Sequence, residues 1–138
     1  WSGLSKKLGF EYHWSILATN NKKNLIVNWT LLEVIKELRS NFKIALLSNM
    51  DPTSISGIRS EVKLSDFFDK VYFSSEIKKG KLEQEVVNTI LKEFNATTQE
   101  LLLIDDYSGN IEKAKSLGMK TLLFKDVQEF KKEINSLL

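Results

Sequence analysis

Cysteine is absent from the 138-residue chain, so a disulfide framework, a thiolate metal site and a cysteine nucleophile are all excluded. Histidine is reduced to His13, which excludes a histidine cluster and speaks against a Ser-His-Asp triad. Set between Tyr12 and Trp14, it reads as a packing or surface residue. Long hydrophobic runs are missing too. Ile44–Leu47 and Leu101–Ile104 are strand-sized and far short of the ~20 residues of a spanning helix, so no membrane association is expected. Arginine is confined to Arg39 and Arg59, and the lysines are spread along the chain. That pattern lacks the dense basic patch of a nucleic-acid binder, so nucleic acid is not an expected partner.

What is present fits one soluble globular domain. Hydrophobic residues make up 42%, charged residues 28%, and the formal charge is +2, ordinary proportions for such a chain. The sequence opens at Trp1 without a secretory signal, which reads as a fragment or a processed product. Lack of cysteine and of a signal points to the cytoplasm. Oligomeric state stays open.

From about Asn24 onward, short β-rich runs alternate with helical patterns. Thr30 and Glu33 are spaced as a capping box for a first helix, and Leu31, Leu32, Val34, Ile35 and Leu38 form its apolar stripe. Residues 43–48 follow as a strand, continuous in apolar character and so buried on both faces. Asp51-Pro52 then reads as the N-cap and N1 pair of a helix running to about Val62. Further strands are expected at 70–75, 101–105 and 120–124, separated by helices over 83–94 and around Ile111, Ala114 and Leu117. Gly118 stands where a left-handed C-cap belongs. A last helix begins at Asp126, with Glu129 three residues on.

Helices between strands, with short links, argue for βαβ crossovers and a parallel sheet covered on both faces. Residues 1–24 differ. Leu4 and Leu8 suggest a helix stopped at Gly9; Trp14, Ile16 and Leu17 suggest a second, with Ala18 small enough for a helix contact.

In open α/β sheets the site lies beyond the carboxyl ends of the strands. Here those ends carry Ser48-Asn49, Ser74-Ser75 and Asp105-Asp106, with Lys81 shortly after the second strand. Adjacent carboxylates after a buried strand repel unless their charge is offset. Magnesium does this, because it takes oxygen ligands, often one or two carboxylates plus phosphate. A hydroxyl at Ser48 and a compact cation at Lys81 suit the phosphate itself. Singly, each residue also fits a bland role: Asp106 or Ser108 as a helix cap, Lys81 as a solvated charge. As an ordered set they fall at one sheet edge. Glu76 reads either as a partner that orients Lys81 or as a solvated residue.

Leu46-Leu-Ser-Asn49, Ser74-Ser-Glu-Ile-Lys-Lys-Gly-Lys81 and Leu103-Ile-Asp-Asp106-x-x-x-Asn110-Ile-x-x-Ala114-x-x-Leu-Gly-Met119 resemble motifs II, III and IV of the haloacid dehalogenase-like hydrolase superfamily. The order matches, and the likeness covers about Trp29 to Phe124. The resemblance implies a Rossmann-like α/β fold over residues 25–138, with residues 1–24 as the remnant of a helical cap. It also implies that Ser48 binds the transferring phosphoryl group, that Lys81 neutralises it and steadies the nucleophile, and that Asn49 helps to orient it. Asp105 would ligate Mg2+ and Asp106 would join the metal shell. The adjacent aspartates point to the phosphatase-like branch, acting on a small phosphorylated substrate through an aspartyl-phosphate intermediate.

Two departures stand out. Leu82 replaces the proline that many members carry after the lysine. More seriously, motif I, an Asp-x-Asp ending the first strand and supplying nucleophile and general acid/base, occurs nowhere in the chain. In the family that strand lies between those ending here at Ser48 and Asp105. Burial of such a strand contributes on the order of 10 kcal/mol, against a total stability of only ~5–15 kcal/mol for a domain. The expectation is therefore a fragment whose strand and nucleophile lie upstream, the chain alone lacking the chemical step. The alternative is a non-catalytic binding or interaction module that retains the pocket. A phospho-accepting receiver domain groups similar residues but places the acidic pair first and the lysine last, the reverse of the order here.

Overall fold

The computed structural model describes residues 18–20, 25–49, 51–78 and 83–137. The expected helices around Leu4, Leu8, Trp14, Ile16 and Leu17 lie outside the described residues, as do His13, Lys81 and Leu82. Strand β1 (Ala18–Asn20) pairs antiparallel with β2 (Leu25–Val27). Ala18 therefore sits in a strand ladder, opposite Val27. The expected boundary at Asn24 falls between these two strands.

Helix α1 (Trp29–Arg39) leads into β3 (Ala45–Ser48), α2 (Pro52–Glu61) and β4 (Lys70–Phe73). A short helical turn α3 (Ser74–Ile77) precedes α4 (Gln84–Phe94) and β5 (Leu102–Asp105). Helix α5 (Ser108–Ser116), β6 (Lys120–Leu123) and α6 (Val127–Leu137) complete the order. Strands β3 and β4 pair in parallel, Ala45 opposite Lys70 through Ser48 opposite Phe73. Strands β5 and β6 do the same, Leu102 opposite Lys120 through Asp105 opposite Leu123. Among the described residues no strand is hydrogen-bonded to both pairs.

Alternation along the strands divides the core into two layers. Ile44, Leu46, Leu102 and Ile104 pack with Leu31, Leu32 and Ile35 of α1, Ile55 and Ile58 of α2, and Phe130 and Ile134 of α6. Ala45, Leu47, Leu101 and Leu103 face the other way, onto Val86 and Ile90 of α4 and Ile111 and Ala114 of α5. Helices thus cover both faces of the two parallel strand pairs, a Rossmann-like α/β architecture, and the pairs share the first core layer. The continuous apolar character of β3 and β5 is this double coverage.

Local chemistry sets the element ends. Asp51 accepts from the Ser54 amide at 3.0 Å and Pro52 opens α2, as the sequence indicates. Gly118 takes a φ of +87° after α5, the left-handed region that favours glycine. The cap of α1 differs from expectation. Asn28, two residues before Thr30, accepts from the Leu31 amide at 3.1 Å, so the helix begins at Trp29 and the Thr30–Glu33 spacing falls inside it. Strand β4 ends at Phe73, and Ser74-Ser75 begins the helical turn instead of completing the strand. Among the described residues no helix is long and apolar enough to cross a membrane.

Candidate functional site

The buried polar residues of the described core are Ser48 and Asp105, both with no solvent exposure, and each is the last residue of its strand. Burying a polar group is costly unless a partner offsets its desolvation. Asp105 has partners. Its Oδ1 accepts from the Tyr107 amide at 2.8 Å and its Oδ2 from the Asn110 side-chain amide at 3.0 Å. These donors hold a carboxylate in place where the chain turns from β5 into α5. Ser48 has none: its Oγ is buried without a hydrogen-bond partner. A native core rarely leaves such a group without a partner, so this hydroxyl calls for one, such as a water, an ion or a ligand, or for a catalytic role.

Immediately beyond these strand ends lies a cleft of about 450 Å³ lined by Asn49, Asp106, Tyr107 and Asn110. It brings together Asn49 and Asp106, two residues singled out in the sequence, from the ends of different strand pairs. Asp106 and Tyr107 are exposed, Tyr107 by 62%. Ser75, expected at the end of the second strand and found in the helical turn after it, does not join them. It lines a separate cleft with Pro52, Ile55, Ser56, Arg59 and Glu76.

There Glu76 is engaged by Arg59, whose Nη1 and Nη2 donate to its two oxygens at 2.6 and 3.3 Å. The Arg59 guanidinium also lies 5.3 Å above the centre of the Phe73 ring. Glu76 thus has a partner that neither reading of the sequence named. Helix caps are also assigned differently. Tyr107 occupies the N-cap of α5 without a side-chain cap, and the acceptor for its amide is Asp105, not Asp106 or Ser108. In the sequence Asn110 stands out only as a motif position. Its amide within reach of a strand-end carboxylate five residues back is the signal that could have assigned it.

Among the described residues no group of three or more His, Cys, Asp or Glu side chains stands ready to hold a metal. Asp105 and Asp106 supply two hard oxygen donors, and the orphaned Ser48 hydroxyl suits a phosphate oxygen. That set fits magnesium, which commonly binds one or two protein carboxylates and fills its remaining positions with water and phosphate.

A buried strand-end hydroxyl and a strand-end carboxylate pair thus stand at the carboxyl ends of parallel strands covered by helices. The chain belongs to the haloacid dehalogenase-like hydrolase family, whose model matches residues 11–124. It is 31% identical over 113 residues to a D-ribitol-5-phosphate phosphatase of Bacteroides thetaiotaomicron, covering 78% of this chain and 55% of that protein. It is 25% identical over 91 residues to a phosphorylated carbohydrates phosphatase of Thermotoga maritima, covering 66% of this chain and 41% of that one. Thus the chain spans about half, or less, of these relatives' length. A haloacid dehalogenase family enzyme of B. thetaiotaomicron, solved with magnesium and inorganic phosphate, superposes with a TM-score of 0.67 at 27% identity, over 73% of this chain and 55% of that one.

Proposed function

We propose that this chain forms the core of a magnesium-dependent hydrolase acting on a small phosphate ester. The observation that carries the reading is the buried, unpartnered Ser48 Oγ at the end of β3, next to the cleft that holds Asn49 and Asp106. In this account Ser48 donates its hydroxyl proton to an oxygen of the transferring phosphoryl group, and Asn49 orients that group. Lys81 supplies a compact positive charge against it. Asp105, fixed by Tyr107 and Asn110, and Asp106 at the cleft would hold magnesium. When bound, the ion offsets charge on the phosphoryl oxygens.

The nucleophile is assigned to a segment outside these 138 residues. An aspartate there attacks phosphorus and releases the alcohol, and water then cleaves the aspartyl phosphate. The separation of the two parallel strand pairs supports this, since a strand between β3 and β5 would join them and end beside Ser48 and Asp105. Residues 1–24 are assigned to the end of a helical cap, residues 25–138 to the core lacking its first strand, and the reaction to the cytoplasm. Relatives that act on phosphorylated compounds, a phosphatase of D-ribitol 5-phosphate among them, support a small phosphorylated substrate.

The natural coding sequence upstream of Trp1 tests the reading. An apolar strand ending in Asp-x-Asp some tens of residues earlier is expected. A natural start at or near Trp1 would remove the nucleophile and leave the other reading, a binding module that keeps the pocket without turnover.

A further inference from the structure

Helix α2 follows the carboxyl end of β3 and the turn α3 follows that of β4, and Arg59 joins the two. Its Nη1 and Nη2 reach both oxygens of Glu76 in α3, while its guanidinium lies over the ring of Phe73, the residue just before the turn. Phe73 is buried and stands opposite Ser48 in the β3–β4 ladder. A surface ion pair by itself contributes little. A planar fork on two carboxylate oxygens, backed by an aromatic face, fixes direction as well as distance.

The turn needs such a hold. It spans four residues, none of them fully buried, and a helix of that length does not persist unaided. Successive side chains anchor it: Glu76 to Arg59 on α2 and Ile77 to the second core layer. Directly afterwards Lys78 takes a φ of +56°, the left-handed region that a residue with a Cβ enters at a cost. Such a conformation persists where the surrounding structure imposes it. The chain reaches Lys81 three residues later.

We propose that Arg59 is a positioning residue for Lys81. By gripping Glu76 it holds α3 and the left-handed turn at Lys78, and so sets where the chain delivers the Lys81 ammonium. Glu76 is the handle of the turn, its two oxygens taken by Arg59. The inference rests on the reading above of Lys81 as the cation for the phosphoryl group.

The test titrates the natural full-length protein, with magnesium present, against inorganic phosphate, alongside a urea melt of each variant. Arg59→Ala is expected to weaken phosphate binding by about three- to thirtyfold. In a Lys81→Ala background the same substitution should add less than about twofold, because the group it positions is gone. Any loss of urea midpoint, in contrast, should be the same in both backgrounds. Glu76→Ala separates positioning from a field effect. Removal of a negative charge would by itself strengthen phosphate binding, whereas loss of the handle weakens it. Unchanged binding in Arg59→Ala, equal weakening with and without Lys81, or binding in Glu76→Ala as tight as the parent's or tighter would each overturn the assignment. A Lys81→Ala protein that binds phosphate as the parent does would remove Lys81 from the phosphate reading itself and overturn this inference with it.

Discussion

The side-chain amide of Asn110 donates to Oδ2 of Asp105 at 3.0 Å, tying the first turn of α5 to the carboxylate that ends β5. The carboxyl group is wholly buried, so removing the donor takes away one of its hydrogen bonds. Hydrogen bonds to charged groups contribute about 1.5–3 kcal/mol. Asn110→Ala is therefore expected to lower unfolding free energy by about that amount, read as a drop in urea midpoint with an unchanged slope. A midpoint equal to the parent's would mean that the bond contributes nothing.

Ser48 is expected to behave in the opposite way. Its hydroxyl is buried without a partner, and such a group costs about 1–3 kcal/mol of desolvation. Ser48→Ala should leave stability unchanged or raise it by up to that range, while weakening the affinity of the protein for inorganic phosphate. Urea melts and a phosphate titration of the same variant check both halves. A destabilised variant would show that the hydroxyl has a structural role.

Most of this fold was legible in the sequence, because period and punctuation reported burial directly. The apolar run at 44–47 became a strand covered on both faces, and Asp51-Pro52 and Gly118 marked their helix ends by local backbone chemistry. Failures came where two local signals competed. Asn28 captured the cap that the Thr30–Glu33 spacing suggested, and Ser74-Ser75 entered a helical turn when the strand pairing stopped at Phe73. Within the site, spacing located Ser48, Asn49, Asp105 and Asp106 at strand ends. It did not reveal the Asn110 bond or the Arg59–Glu76 pair. Those depend on side-chain directions in three dimensions, which no linear pattern carries.

Asp69 joins the starts of β3 and β4. Its Oδ2 accepts from the Ile44 amide at 2.8 Å, its own amide donates to the Ile44 carbonyl at 2.8 Å, and its Oδ1 lies 3.3 Å from Arg39 Nε. Asp69→Ala removes both side-chain contacts and leaves the Ile44 amide without its acceptor. A loss of about 1–3 kcal/mol is expected, measured by urea denaturation. Hydrogen exchange at Ile44 should rise at the same time. Unaltered protection there would argue against the bridge.

Alkaline stability should depend on Tyr72. Burial, and then its hydrogen bond to the Glu93 carboxylate, raise the phenol above its ordinary value, so the folded state keeps this proton at pH values where the unfolded chain loses it. The stabilising contribution is complete below about pH 10 and declines as pH rises beyond it. Tyr72→Phe, which cannot ionise, should show a flatter decline of the urea midpoint from about pH 9 to about pH 11. Parallel curves for the two proteins would refute the assignment.

Release of inorganic phosphate from small phosphate monoesters by the natural full-length protein, assayed with magnesium and after its removal, measures the proposed activity directly. Release that requires magnesium and falls by about a hundredfold or more in Ser48→Ala is the expected result. Absence of release from every monoester tried, or release indifferent to both magnesium and Ser48, would contradict it.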